Sequence, residues 1–240
     1  MLFRLSRMIA KSLAKRGVLN TVLYAAQWPL IIYRERQSLL DRNAIQSQFD
    51  GLHGTDTAGI IPLSSFVIDD PAWAHGVRYA PTSPKGFQDS LSLLGLNSKS
   101  YKEFAFVDVG SGKGATLLYA SDLGFKAVYG IELVKELHHI AARNLSLYPP
   151  ARDIGKSICA NAASIQMPAP PLLVFANYPI SSKDLMAAVV QNIADSGTGP
   201  KYLIADNFPY DPATLPGARL RLIKSVRAST GNNHYALEVL

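Results

Sequence analysis

Residues 104–118 read FAFVDVGSGKGATLL, and this stretch decides the fold. An apolar run ending at Val109 leads into three glycines at alternate positions, Gly110, Gly112 and Gly114, and then into apolar residues at helical spacing. The pattern predicts a buried strand, a tight glycine turn and the start of a helix. In an open parallel sheet, such a turn lets the backbone approach a ligand, and the first N–H groups of the helix face it. The stretch therefore predicts a nucleotide-type pocket.

The rest of the chain alternates short apolar runs with helical patterns. Runs typical of strands follow at residues 126–133, 157–160, 172–176 and 202–205. Two extended runs, residues 219–226 and 235–240, predict a hairpin-like pair at the sheet edge. We therefore predict a doubly wound α/β fold, a mostly parallel sheet with helices on both faces and an antiparallel strand near the C-terminus.

Two helix starts carry capping signals. Ser83 followed by Pro84 predicts an N-cap with proline at the first helical position. Ser181, with Asp184 three residues later, resembles a capping box before a helix over residues 185–193. These signals place one helix before the first strand and one after the fourth.

Composition limits the function classes. A chain of 240 residues, 48% of them hydrophobic, can bury a full core. The single cysteine, Cys159, excludes a disulfide framework and a cysteine-based zinc site, and it favours a reducing, cytoplasmic location. Because the five histidines show no metal-ligand spacing, we expect no metal.

Positive charge is concentrated at the N-terminus. Residues 1–36 contain seven Lys and Arg and one acid, so they account for the whole formal charge of +6. The balanced body gives no sign of a basic nucleic-acid groove, and we do not expect a nucleic-acid partner. Residues 1–16 predict a basic amphipathic helix. Three interpretations stay open for it: packing on the domain, peripheral contact with an anionic membrane surface, and a mitochondrial transit peptide.

We predict three segments along the chain. Residues 1–36 form a helical appendage, residues 37–83 form a loop-rich cap with short helical pieces, and residues 84–240 form the nucleotide-binding domain. We refer to residues 37–83 as the cap. A long irregular segment in a compact domain is often a lid or a binding loop, and ordinary connecting structure is the alternative. The cap residues most open to a functional role are His53, Asp56 and Trp73.

Three nucleotide folds compete for the glycine turn. A P-loop requires G-x-x-x-x-G-K-[ST], and here Val107 occupies the position of its first glycine. The dinucleotide fingerprint accepts alanine at its last position, so Ala115 keeps that alternative open. The third possibility also uses Asp108, two residues before the first glycine, where a carboxylate can accept a hydrogen bond from the amino group of a ligand.

Residues 104–145 resemble the cofactor half of the class I S-adenosylmethionine-dependent methyltransferases. The motif VDVGSGKG and an acid at the end of the second predicted strand carry the resemblance. In that family the glycine turn wraps the methionine moiety and the acid binds the ribose hydroxyls. The resemblance implies S-adenosylmethionine as the cofactor. In this stretch it assigns cofactor binding to Asp108, Gly110, Ser111, Gly112 and Glu132.

The resemblance implies cofactor contacts on both sides of this stretch. Asn161, at the third strand end, stands where the family usually has an acid for the adenine amino group. The run YAPTSP, residues 79–84, resembles a segment that closes over the cofactor in a subset that includes lysine methyltransferases. Tyr79 and Thr82 are the candidates from that segment.

The fourth strand end supplies the candidate catalytic residue. Residues 177–180 read NYPI and depart from the [DN]-P-P-[FY] motif of enzymes that act on nitrogen. The likeness assigns the holding of the nucleophile to Asn177. A second near match, NFPY at residues 207–210, comes one strand later and is interpreted as a substrate-side wall or a turn.

Two functions remain open. The first is methyl transfer to a nitrogen acceptor, either a protein lysine or a small molecule. The second is a domain of the same fold that binds the cofactor, a partner or a membrane without catalysis, because the NYPI run departs from the motif.

Overall fold

The computed structural model describes part of the N-terminal region and nearly all of the remaining chain: residues 29–30, 33, 36–66, 68, 70–227 and 233–240. The chain divides into two units, and the second, Arg42–Leu240, contains the sheet. The predicted amphipathic helix over residues 1–16 lies outside the described residues. No helix within the described ranges combines the length and apolar character needed to cross a bilayer.

A seven-stranded sheet forms the centre of the second unit. Its strands are β1 (Ala105–Val109), β2 (Ala127–Glu132), β3 (Gly155–Cys159), β4 (Leu172–Asn177), β5 (Lys201–Phe208), β6 (Leu220–Arg227) and β7 (Asn233–Val239). They lie in the order β3-β2-β1-β4-β5-β7-β6. The first five strands are parallel, whereas β7 is antiparallel to both of its neighbours. The predicted fold class is confirmed, including the antiparallel strand near the C-terminus.

Helices cover both faces of the sheet. They are α1 (helical residues 42–53 of this unit), α2 (Pro84–Ser92), α3 (Ser98–Tyr101), α4 (Ala115–Asp122), α5 (Lys135–Leu147) and α6 (Lys183–Ala194). One core cluster joins the sheet to α2, α3, α4 and α5, and a second joins the opposite face to α6. Short 3-10 turns lie at Leu63–Ser65, Pro71–His75, Pro149–Ala151 and Pro212–Thr214.

Strand β1 is buried along its whole length because both of its faces are covered. On one face, the ring of Phe106 meets Phe87 of α2 edge-on, with 5.5 Å between the ring centroids, and lies 5.2 Å from Phe125. On the other face, Val107 belongs to the cluster that includes Met186 of α6. Burial on both faces explains why β1 does not alternate apolar and polar residues, and Asp108 is its one polar residue.

The start of the cap is more regular than predicted. Residues 36–53 are continuously helical, where the sequence indicated only short helical pieces. Within the second unit, Phe49 lies against Tyr119 and Tyr148, with centroid distances of 5.6 Å to each ring. This contact joins α1 to residues far along the chain, so a local sequence pattern did not reveal it.

One predicted cap is correct and the other is displaced by one residue. Ser83 caps α2, accepting a hydrogen bond from the Gly86 N–H at 3.1 Å, and Pro84 follows it. At α6, however, the N-cap is Ser182, which accepts from the Leu185 N–H at 3.3 Å. The predicted cap, Ser181, instead donates its hydroxyl to the carbonyl of His75 at 2.9 Å. The Ser181 hydroxyl, which the motif assigned to the N-cap of α6, therefore makes a tertiary contact with the cap instead.

Replacing Phe106 by alanine should reduce the free energy of unfolding by about 3–5 kcal/mol, because the fully buried ring leaves a cavity among other aromatic rings. Urea denaturation measures this change. The matched control is Leu222→Ala on β6, where the side chain is 46% exposed. We expect the control to change stability by less than about 0.5 kcal/mol, and equal losses in the two variants would contradict the described core.

Candidate functional site

All nine predicted site residues line one cavity at the carboxyl ends of the parallel strands, beside the cap. The cavity is open to solvent, and its space of ≈ 1060 Å³ includes part of that solvent. A concave site with a few convergent polar groups is the usual form of a small-molecule site. The nine residues are Tyr79, Thr82, Asp108, Gly110, Ser111, Gly112, Glu132, Asn161 and Asn177. Their common position is a structural fact, and their individual binding roles stay predictions.

The glycine turn after β1 is closed to side chains at two positions. Gly110 and Gly112 have φ values of 75° and 55°, in the left-handed region that favours glycine. A Cβ atom at Gly110 would lie 2.6 Å from Cβ of Pro179, and one at Gly112 would lie 2.3 Å from the ring of Tyr79. The NYPI run and the YAPTSP run therefore both pack directly against the turn.

Two buried carboxylates flank the turn. Glu132 accepts hydrogen bonds from the N–H groups of Gly112 at 2.7 Å and Val134 at 2.8 Å. Asp108 accepts one from the hydroxyl of Thr116. The pKa of Asp108 is raised to about 7: burial is the main cause and the charges of Glu132 and Asp206 add to it, whereas the hydrogen bond from Thr116 lowers the pKa. Burial also raises the pKa of Glu132 despite its N–H donors.

Ser111 and Asn161 differ in how far their polar atoms are engaged inside the protein. The Ser111 hydroxyl is buried without a hydrogen-bond partner among the described residues, and it lies 2.6 Å from where a Cβ of Gly130 would be. Asn161 Oδ1 accepts from the Ala163 N–H at 3.0 Å. Its Nδ2 donates to Asp70 at 3.2 Å, so the cap brings a carboxylate to the predicted adenine corner. Asp70 was not identified from the sequence.

The predicted catalytic residue is held from two sides. Asn177 donates from Nδ2 to the hydroxyl oxygen of Thr82 at 2.8 Å, and its Oδ1 accepts from Nδ2 of Asn207 at 2.9 Å. Tyr178 and Asn207 both have positive φ, 40° and 56°, at the ends of β4 and β5. For a tyrosine this conformation is rare and strained, and such residues cluster at functional sites. The first residue of the NFPY run, interpreted as a wall or a turn, thus contacts Asn177 directly.

Lys113, in the middle of the glycine turn, was missed as a structural residue. Its side chain is only 8% exposed, and Nζ donates to the carboxylate of Asp56 and to the carbonyl of Ala58, both at 2.7 Å. Asn144 reinforces the contact, because Nδ2 donates to the carbonyls of Asp56 at 2.8 Å and Lys113 at 2.9 Å. A lysine is almost never buried unless it is paired. Its position inside the predicted buried turn GSGKG was therefore the sequence signal that Lys113 has a partner within the protein.

Backbone pairing holds the cap at two further points. Ile61 pairs with Tyr79 inside the cap, and Gly76 pairs with Ile180 beyond β4. The carbonyl of His75 also accepts a hydrogen bond from the N–H of Ser181 at 2.7 Å. The cap is therefore attached to the turn after β1 and to the run after β4. Within the described ranges, no group of three or more His, Cys, Asp or Glu side chains is placed to hold a metal.

Similarity to known proteins is found in the three-dimensional structure and not in the sequence. No family model matches the chain, and no curated protein matches it by sequence. TrmN from Thermus thermophilus matches with a TM-score of 0.53 and 17% identity, over 66% of this chain and 49% of TrmN. Magnesium protoporphyrin IX methyltransferase from Synechocystis PCC 6803, solved with bound S-adenosylmethionine, matches with a TM-score of 0.51 and 10% identity, over 65% of this chain and 78% of that protein.

The chain has the class I methyltransferase fold. The strand order, with one reversed strand, agrees with the fold that the resemblance implied. The chain spans about half the length of TrmN. At these identities the likeness establishes the methyltransferase fold and leaves the acceptor open. The expectation against a nucleic-acid partner therefore gains no support from the fold.

Replacing Lys113 by alanine should loosen the cap, because the Asp56 carboxylate and the Ala58 carbonyl lose the donor that they share. Asp56 is half exposed, so its carboxylate can turn to solvent when this donor is lost. We expect faster hydrogen exchange of the backbone amides in residues 54–59, measured by mass spectrometry. The matched control is Lys85→Ala, which removes an exposed ion pair with Asp89 and should leave exchange in residues 54–59 unchanged. Unchanged exchange in the Lys113 variant would show that this lysine does not hold the cap.

Proposed function

We propose that the protein is an S-adenosylmethionine-dependent methyltransferase that acts on a nitrogen acceptor, either a protein lysine or a small molecule. The observation that carries the proposal is the pair of buried carboxylates, Asp108 and Glu132, on either side of a glycine turn that a Cβ would block. We also propose the division into residues 1–36, 37–83 and 84–240, and a cytoplasmic location. Peripheral membrane contact through residues 1–16 remains part of this proposal.

The residues present fit the cofactor by their chemistry. Asp108 and Glu132 supply acceptors for an ammonium group and for hydroxyl groups, and the turn gives close backbone approach. Ala115 and Thr116 bring the N-terminus of α4 to the cavity wall. Asn161 and Tyr79 border the remaining side, and Asp70 accepts a hydrogen bond from Asn161. When bound, S-adenosylmethionine supplies an activated methyl group on a sulfonium.

The chain contributes position and polarity to the reaction. Thr82 and Asn207 fix the amide of Asn177, whose Oδ1 keeps a second lone pair for an N–H group of an acceptor. An amine must be neutral to attack, and hydrogen-bond acceptors in a partly buried site hold it in line with the methyl group. Asn177 carries no charge and takes no proton. Its role is therefore alignment of the acceptor.

A second function, cofactor or partner binding without catalysis, is supported by one observation. Both polar atoms of Asn177 already have partners inside the protein. If these bonds persist with an acceptor present, the amide has less capacity to orient it. A binding domain of this fold would then use the same cavity without methyl transfer.

Calorimetry with S-adenosylmethionine followed by a transfer assay separates these functions. The assay supplies the cofactor with a labelled methyl group and offers protein, small-molecule and RNA fractions of a cell extract as separate acceptors. We expect binding, and label in the protein or small-molecule fraction. Label in the RNA fraction alone would overturn the proposed protein or small-molecule acceptor, binding without transfer would favour the second function, and no binding would exclude both methyl transfer and cofactor binding.

Replacing Asn177 by alanine should reduce methyl transfer about 2–10-fold while leaving cofactor affinity within about twofold, because one hydrogen bond contributes about 0.5–1.5 kcal/mol. Transfer to the labelled fraction and calorimetry measure the two quantities. The control is Gln191→Ala, which removes an exposed amide of α6 that donates to the carboxylate of Asp195. Full transfer by the Asn177 variant would remove this residue from the mechanism.

Cofactor affinity should depend on pH through Asp108. The pKa of Asp108 is about 7 in the free protein, and an ammonium group beside it favours the charged form, so binding lowers that pKa. Below about pH 7, binding must then displace a proton, and affinity should fall by up to about tenfold per pH unit. Calorimetry between about pH 5.5 and pH 7 tests this dependence within the range where the ligand's own amino group stays protonated.

The control for this dependence is Asp108→Asn, which keeps the shape and the Thr116 contact. It should bind S-adenosylmethionine about 10–100-fold more weakly, because a hydrogen bond to a charged group contributes about 1.5–3 kcal/mol, and its affinity should not vary with pH. Because the pKa of Asp108 in the fold lies above its ordinary value of 3.8, the charged carboxyl destabilises the fold at neutral pH. The variant should therefore melt at a higher temperature, and a lower melting temperature would contradict this account.

A further inference from the structure

A chain of hydrogen bonds connects a partly exposed histidine to the candidate catalytic amide. His234 of β7, with a side chain 24% exposed, bonds through Nδ1 to Oδ1 of Asp206. Asp206 accepts at Oδ2 from Nδ2 of Asn207 at 3.2 Å. The same Nδ2 donates its other hydrogen to Oδ1 of Asn177 at 2.9 Å. The chain of hydrogen bonds thus runs from β7, across β5, to Asn177 in the cavity wall.

The backbone is arranged to make this connection. Asn177 and Asp206 are register partners at the adjoining ends of β4 and β5. The ladder between β5 and β7 is irregular between Ala205 and Phe208, and Asn207 lies in the left-handed region at this interruption. Asparagine tolerates that conformation better than most residues. The interruption turns the Asn207 amide out of the strand pairing and towards Asn177.

Asp206 is the fixed point of the chain. It is 3% exposed, and a buried carboxylate is costly unless donors surround it. Three side chains donate to it: His234 from β7, Asn207 from β5 and Ser90 from α2 at 2.7 Å. Removing a donor on one side must change how strongly the carboxylate holds the donors on the other side. Asp206 can therefore transmit a change at His234 to Asn207.

We propose that Asp206 and His234 are positioning residues, which orient the amide of Asn177 through Asn207 and make that orientation sensitive to the protonation of His234. The coupling is a property of the fold, and its importance for transfer rests on the proposed methyltransferase function. The residues touch neither the cofactor cradle nor the acceptor, so they act through Asn177. Neither residue was a candidate from the sequence.

The charged groups around His234 decide the direction of the effect. The hydrogen bond that His234 donates to Asp206 raises the pKa of His234, burial lowers it, and the charges of Asp206 and of Asp89 on α2 raise it. On β6, Lys224 lies on the same face of the sheet as His234: Val226 pairs with His234, and Lys224 pairs with Ala236, two residues further along β7. Asp206 also interacts electrostatically with Asp108. Because the folded pKa is raised, the charged pair is complete at low pH and is lost as the pH rises through that pKa.

Side-chain amide spectra of the isotope-labelled full chain test the coupling without a known acceptor. In a pH titration, we expect the amide signals of Asn177 and Asn207 to move with the same midpoint as the ring signals of His234. That midpoint should lie above the ordinary histidine value. Asn177 and Asn207 signals that do not move with His234 would overturn the inference, and this measurement needs no variant to fold.

Variants separate positioning from general destabilisation. His234→Phe should shift the Asn177 signal and abolish its titration, whereas His234→Asn, which retains an amide donor near the position of Nδ1, should restore the wild-type signal without titration. Asp206→Asn should lower the His234 midpoint. The matched control is His139→Phe at an exposed histidine of α5, which should leave the titration of Asn177 unchanged. An unchanged Asn177 signal in His234→Phe would overturn the inference.

The transfer assay distinguishes the two proposals. If the coupling is present and no fraction accepts a methyl group, the proposed function has failed and the positioning network stands. If transfer occurs and His234→Phe retains both the wild-type rate and the wild-type pH profile, the positioning inference has failed and the function stands. We expect His234→Phe to lower the transfer rate several-fold and His234→Asn to recover most of it.

Discussion

Steric exclusion at two backbone positions organises the functional end of this protein. At Gly110 and Gly112 the chain takes positive φ values, and neighbouring groups fill the space that a side chain would need. Pro179 and Tyr79 can contact the turn only because positions 110 and 112 are occupied by glycine. Through these two contacts the run after β4 and the end of the cap come to lie beside β1. The cavity is therefore a consequence of the turn as much as of the sheet.

The same edge of the sheet concentrates negative charge in a buried environment. Asp108, Glu132 and Asp206 are each at least nine-tenths buried, and their charges raise the pKa of Asp108. Carboxylates in this setting oppose folding unless donors surround them. Backbone N–H groups serve Glu132, a single hydroxyl serves Asp108, and three side chains serve Asp206. Asp108 is the least satisfied of the three, which is the state expected of a group that awaits a cationic partner.

The sequence predicted the elements that depend on local pattern. Apolar runs indicated the strands, the glycine spacing indicated the turn, and Ser83 with Pro84 indicated the start of α2. The resemblance then named nine residues that the fold brings to one cavity. The nine residues lie together because parallel strands end at a common edge of the sheet. Residues that follow each strand therefore become neighbours whatever their separation in sequence.

Contacts that depend on tertiary placement were not predictable in the same way. Lys113 and Asp56 are 57 residues apart, and Asn177 and Asn207 are 30 residues apart. Neither pair has a pattern that marks one residue as the partner of the other. At Ser181 a local motif predicted too much. A serine does cap α6, but it is Ser182, because the hydroxyl of Ser181 donates to the carbonyl of His75. Local signals fail where a distant segment competes for the same polar atom.

The burial of Lys113 beneath the cap also bears on how this protein can be divided. The sheet and all of its strands lie after residue 84, and a shortened chain starting there would appear self-sufficient by its hydrophobic core. Such a fragment would lack Asp56 and Ala58, and it would leave an ammonium group in the turn without the two oxygens that now receive it. A boundary drawn at residue 84 therefore cuts through an electrostatic pair that joins the cap to the turn after β1.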